Sequence, residues 1–420
     1  MNIYAIIILA ALLVNYLLGL ASDLLNLKAL QKPLPDEFRD VFDEETYRKA
    51  QEYTRVRTRF GLLTTTFSLF LLLIVWFAGG FNWVDQIVRE YEFGTIVSGL
   101  LFIGILTTAQ GLFTLPFSIY STFVIEERFG FNRTSALTFI TDRLKGLLLG
   151  LLLGAPLLAG VIAIFEFIGA EAWLYAWAVL ILFSLFVQFI APTWIMPLFN
   201  KFTLLEDGEL KQAILDYAQK VSFPLRGIYT IDGSRRSGKS NAFFTGFGKN
   251  KRIALFDTLI EKHTVSELVS VLAHEVGHYK KKHLPKNMII SFLHTGVMLW
   301  LLSLFIQVPG LHEAFYMEAV SVYAGLLFFS LLYTPVETVL SVLMQIFSRK
   351  HEFEADRYAV ETTGEPASMI AVLKKLSADN LSNLTPHPFH VFLHYSHPPV
   401  LERVRAIKSF AYASGLSEGA

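Results

Sequence analysis

One run of the chain combines residue types and spacing that could hold a metal ion: His274-Glu275-Val276-Gly277-His278. Residues i and i+4 share one face of a helix, so both imidazoles can reach a single zinc ion. Glu275 stands beside them, where a carboxylate can take a proton from metal-activated water. The flanks read as helix. Thr264 with Glu267 makes a capping box, Leu268, Val271 and Leu272 give an apolar face, and Lys280 to Lys282 followed by Pro285 mark the end. The plain alternative is two helical histidines with a surface glutamate between them.

A catalytic zinc site takes three protein ligands and keeps one position open. The chain has no cysteine, so the third ligand is His, Glu or Asp. No further histidine follows at the spacing of a three-histidine site, which points to a second helix. The best candidate is His351-Glu352-Phe353-Glu354-Ala355-Asp356. Glu352 and Asp356 lie four apart, so Glu352 can bind the metal while Asp356 accepts a ring N–H from a ligand histidine. Glu354 points off that face and reads as bland. The competing reading is an amphipathic helix with a solvated acidic face.

The elements that would position these groups are largely membrane-spanning. Of 420 residues, 53% are apolar and 17% charged, with net charge +0 and mean hydropathy +0.46. A soluble domain carries about a quarter charged residues, and a neutral balance offers no field for nucleic acid. Seven apolar stretches are long enough to cross about 30 Å of hydrocarbon: 3–20, 62–81, 95–118, 147–168, 172–195, 288–308 and 315–347. The first lacks a basic n-region and a small-residue cleavage site, and reads as a retained helix. The third and seventh overrun a bilayer. Basic residues crowd the loops after the first and third stretches (Lys28 to Arg59, and Arg128 to Lys145), with Arg89 the exception on the other side. The positive-inside rule then places the N-terminus outside, and segments 196–287 and 348–420 in the cytoplasm. The expected division is membrane helices in 1–195, a first catalytic part in 196–287, two further spans in 288–347, and a second catalytic part in 348–420.

Gly233 to Ser240 satisfies a phosphate-loop pattern, but such a loop must open a helix. The residues after Asn241 alternate aromatic and small, and read as a strand. Lys249-Asn250 reads as a turn, so 240–260 is expected to be an antiparallel pair. No nucleotide and no nucleic acid is expected as a partner. The basic Arg235, Arg236 and Lys239 read as a loop facing lipid headgroups or substrate. Gln110, His294 and Glu337 fall inside spans, where polar groups are costly and often functional; a chamber wall, an interhelical hydrogen bond or a misplaced span edge would each explain them.

Taken together, the metal-binding motif, the two-span insertion and Ser348-Arg349 leading into Glu352-Phe353-Glu354-Ala355-Asp356 resemble the type I CAAX prenyl protease family. Glu126 to Asn132, Ser240 to Phe244, and Ser396-His397-Pro398-Pro399 leading to Glu402-Arg403 extend the resemblance over most of the chain. It implies an integral-membrane zinc metalloendopeptidase: seven helices around a large chamber, with a small α+β zincin-like domain at the cytoplasmic face. It implies one zinc per chain on His274, His278 and Glu352, with Glu275 as general base and Asp356 behind a ligand. Asn241 is expected on an edge strand that holds the substrate backbone, and His397 and Arg403 near the scissile carbonyl. From the residues alone, His387, His390 and His394 rival His397. The implied partners are membrane lipid and a peptide or protein substrate, lipidated or otherwise membrane-associated, in a cell inner membrane or an ER-type membrane. The alternatives are a quality-control metalloprotease of the heat-shock type, or a transporter or scaffold with a dead metal site.

Overall fold

The computed structural model describes residues 1–245 and 251–416; the expected turn at Lys249-Asn250 lies outside them. Six helices are long and apolar enough to cross a membrane: Ile3–Ala29, Glu44–Phe77, Thr95–Glu126, Ala136–Phe167, Gly169–Phe199 and His283–Phe305. A bent pair, Val322–Leu332 and Thr334–Thr363, makes a seventh span if counted as one, with 55° between its halves. Pro335 explains the break, since its ring cannot continue the preceding helix. Large apolar side chains such as Leu63, Phe70, Leu112 and Leu182 face outward, as a lipid-facing surface requires.

Helix ends differ from the sequence expectation for local reasons. The second helix begins at Glu44 rather than near Leu62, because Asp43 caps it through the Thr46 N–H at 2.6 Å and nothing interrupts the polar turns that follow. The first runs on to Ala29. The expected seventh stretch starts too early: the chain at Phe315 is not helical, and its ring packs on Trp76 at 4.6 Å and on Phe328 at 3.9 Å. A short helix, Gly80–Arg89, was not anticipated. There Arg89 bonds Asp85 at 2.7 Å, so the one basic residue on the wrong side of the charge pattern is locally neutralised.

The polar segments form a four-stranded sheet in the order β1-β2-β4-β3, from Phe202–Leu204, Leu225–Ile231, Ala242–Thr245 and Lys251–Phe256. β3 and β4 are antiparallel, pairing Ala242 with Leu255, and β3 is the sheet edge. The phosphate-loop lookalike is followed by this strand and opens no helix. Of its basic residues Arg235 is exposed as expected, whereas Arg236 bonds Asp142 at 2.8 and 3.0 Å and Lys239 reaches Glu126 at 3.0 Å. One face of the sheet contributes Ile253 and Leu255 to a core shared with Leu268, Leu272 and Val276 of the motif helix and with Ala359 and Val360.

A cavity of about 1380 Å³ lies among the membrane helices, lined mostly by apolar residues, leucine the commonest, but also by Asn15, Gln110 and Glu337. His294 lies 3.3 Å from Glu337 and 3.1 Å from the Tyr333 hydroxyl. Gln110 and Glu337 are therefore chamber-wall residues, and the approach of His294 to Glu337 accompanies that role.

Candidate metal centre and active site

The motif helix, Val265–Lys280, starts with both halves of the capping box, Thr264 and Glu267. It crosses the helix Thr334–Thr363 at Gly277. A methyl group there would meet the Ala355 Cα and carbonyl oxygen at 3.0 Å, so only glycine admits this approach. The close crossing brings His274, His278 and Glu352 together. Their Nε2 atoms lie 3.1 Å apart, and each faces a carboxylate oxygen of Glu352 at 3.4 Å.

Three observations test this cluster as a metal site. Zinc bonds of about 2.0–2.1 Å to tetrahedral ligands place ligand atoms roughly 3.3 Å apart; the two ring nitrogens here are 3.1 Å apart, and each lies 3.4 Å from one of the two oxygens of Glu352. Glu352 Oε2 is buried and accepts no hydrogen bond, although the Arg403 guanidinium lies 3.5 Å away, so a buried lone pair is left for a metal to engage. Each histidine also has its Nδ1 occupied. His274 Nδ1 lies 2.8 Å from Asp356 Oδ1, and His278 Nδ1 lies 3.0 Å from His283 Nδ1. With Nδ1–H donated on each ring, both Nε2 lone pairs face the same point. The residues fit zinc.

The surrounding charge supports the same reading. Burial opposes a charge on His274, yet the carboxylates of Asp356 and Glu352 outweigh it and raise its pKa to about 9; that field favours a cation between the rings. Glu275 is half-buried, and burial pushes its carboxyl above the usual range despite the opposing pull of both histidines. A carboxylate so placed is a better proton acceptor near neutrality than a solvated one.

Of the other expected residues, Asp356 stands behind His274. Arg403 lies against Asp356 and the edge of the cluster. It is buried, bonds both oxygens of Asp356 (Nε–Oδ2 2.7 Å, Nη2–Oδ1 2.5 Å), and lies 3.5 Å from Glu352 Oε2. Its guanidinium is engaged with carboxylates below the site. His397 is the histidine of its crowded segment that reaches the cluster: Nε2 is 3.3 Å from Glu352 Oε1, and the side chain is 64% exposed. Although the side chain is largely exposed, protein crowding around the ring desolvates it and lowers its pKa against the raising pull of Glu352. Asn241 is exposed and directly precedes edge strand β3. Glu354, expected to be bland, is not. Its Oε2 lies 3.0 Å from His283 Nε2, and His351 stacks on the His283 ring at 3.9 Å. The chain turns at Lys282, whose φ is 58°, and this returns His283 to His278. No periodic pattern announces such a contact; the five-residue spacing of His278 and His283 was its only trace.

This geometry has close counterparts. The family described as CAAX prenyl protease N-terminal, five membrane helices, matches residues 23–201, and Peptidase family M48 matches residues 204–411. The chain belongs to the CAAX prenyl protease family. It is 34% identical to CAAX prenyl protease 1 of Saccharomyces cerevisiae, over 90% of this chain and 89% of the relative. The Arabidopsis thaliana homologue is 36% identical over 94% and 95% of the two chains. The crystal structure of S. mikatae Ste24p superposes with a TM-score of 0.90 at 34% identity, covering 97% of this chain and 99% of that one. As a member of this family the chain is an integral-membrane metalloendopeptidase. The heat-shock-type and scaffold alternatives are set aside.

Proposed function

We propose that the protein is a zinc endopeptidase that cleaves prenylated proteins near their C-termini, with its site on the cytoplasmic side. The observation that carries the metal assignment is the set of ligand edges, 3.1, 3.4 and 3.4 Å, around His274, His278 and Glu352. The substrate class comes from the relatives, whose names describe prenyl proteases, and from the leucine-lined cavity of about 1380 Å³, which suits an isoprenoid chain.

His274, His278 and Glu352 would hold zinc, which would supply Lewis acidity toward water and the scissile carbonyl. Glu275 takes the proton of the attacking water and returns it to the departing amine. His397, exposed beside Glu352, donates to the oxyanion that develops on the substrate. Asp356 and Arg403 hold His274 and Glu352 in place from below. β3 offers its unpaired edge, with Asn241 at its start, to the extended substrate backbone.

The purified chain in detergent, given a farnesylated C-terminal peptide, should release the terminal tripeptide by mass spectrometry. Glu275→Gln should keep its zinc and lose nearly all turnover, since an amide cannot take the proton. Turnover within a few-fold of wild type in that variant removes Glu275 as base. Equal cleavage of the unprenylated peptide removes the proposed substrate class.

A further inference from the structure

The first membrane helix continues past the apolar stretch to Ala29, and its last turns face the C-terminal segment. Asn26 Oδ1 accepts from the His387 N–H at 3.1 Å and from Asn383 Nδ2 at 3.3 Å. These bonds fix the entry to the short helix Pro388–His394. Arg349 fixes its other end, donating from Nη1 to the carbonyls of Val391 at 3.1 Å and Tyr395 at 2.6 Å. The helix carries two histidines four residues apart, His390 and His394, with ring centroids 4.8 Å apart. They repeat the i, i+4 spacing of the ligand pair on the motif helix.

Asp23 faces them from the first helix. Its Oδ1 lies 3.5 Å from His390 Nδ1, too far for a hydrogen bond, and that nitrogen is already served by the Ser22 hydroxyl at 3.0 Å. His394 makes no hydrogen bond to a described residue, and it lines the chamber together with Asp23. One ligand atom from each of the three residues lies within 4.8 Å of the others.

We propose that, in addition to the one zinc per chain that the family resemblance implies, Asp23, His390 and His394 form a second divalent-metal site that ties the first membrane helix to the segment carrying His397. Two imidazoles and one carboxylate suit zinc, cobalt or nickel rather than calcium or magnesium. Three protein donors leave a position open toward the chamber. The nearest Asp23–His390 approach, 3.5 Å, uses a ring nitrogen that the Ser22 hydroxyl already engages, so binding an ion must displace that hydroxyl and the site binds more weakly than the catalytic one. His394 precedes His397 by three residues, so an ion here stiffens the link between the chamber wall and the residue beside Glu352.

The test is zinc content per chain, by mass spectrometry of the intact detergent-solubilised protein equilibrated over a range of buffered free zinc. Wild type should fill in two steps and reach about two zinc per chain, the second at higher free zinc. Asp23→Asn and His394→Gln should each stop at one with the first step unmoved, which also shows that they are folded. Glu352→Ala should lose the first step and keep the second. A single step in wild type, or a second step that survives both substitutions, overturns the proposal. If one of the two substitutions abolishes both steps by unfolding the chain, His390→Gln is read in its place by the same criterion.

Discussion

Gly277, between the two histidines, controls how closely the ligand helix approaches, and Gly277→Ala separates helix propensity from site geometry. Propensity alone predicts a gain, since Ala in a helix is favoured over Gly by about 1 kcal/mol. The contact predicts a loss. The new methyl would meet the Ala355 Cα at 3.0 Å and its carbonyl oxygen at 3.0 Å, whereas carbon atoms rest at about 3.5–4.0 Å. Both atoms are backbone, so the helices must part by roughly 0.5 Å. Glu352 lies one turn from Ala355 and moves with it, opening the 3.4 Å edges to His274 and His278. Without metal the helices can relax apart; binding zinc draws them together again. The overpacking energy, typically 1–3 kcal/mol, should then appear as weaker zinc binding by about 5- to 150-fold. Competition with a chromogenic chelator measures it, alongside thermal unfolding of the chelated protein, which should be unchanged or raised. Wild-type zinc affinity in this variant would refute the claim that close helix approach builds the site.

Two further outcomes follow from the geometry. His397→Ala should keep normal zinc content and near-normal KM while kcat falls by about 10²–10³; lost zinc or unchanged kcat removes His397 from the oxyanion role. Single cysteines at Arg57 and Lys281 in this cysteine-free chain should resist an impermeant thiol reagent in intact cells and react after permeabilisation; labelling of intact cells reverses the proposed orientation.

The features legible in the sequence were those set by periodicity. His274, His278, Glu352 and Asp356 follow from i, i+4 spacing on two helices, and the cap at Thr264 from its own residues. What escaped was set by packing between distant segments. Glu354 looked idle because its partner, His283, comes from beyond a left-handed turn at Lys282. The buried pairing of Arg403 with Asp356 has no local signature, because the two lie on different helices and meet only in the packed structure. The helix ends at Glu44 and Ala29 escaped because hydropathy marks where a span is apolar, not where its hydrogen bonds stop.

The central claim is the identity of the metal ligands, and an anomalous difference map collected at the zinc edge from crystals of the protein at limiting zinc tests it directly. The account predicts the strongest peak among His274 Nε2, His278 Nε2 and the Glu352 carboxylate, about 2.0–2.2 Å from each. A strongest peak held instead by His397, or lying away from Glu352, would contradict it.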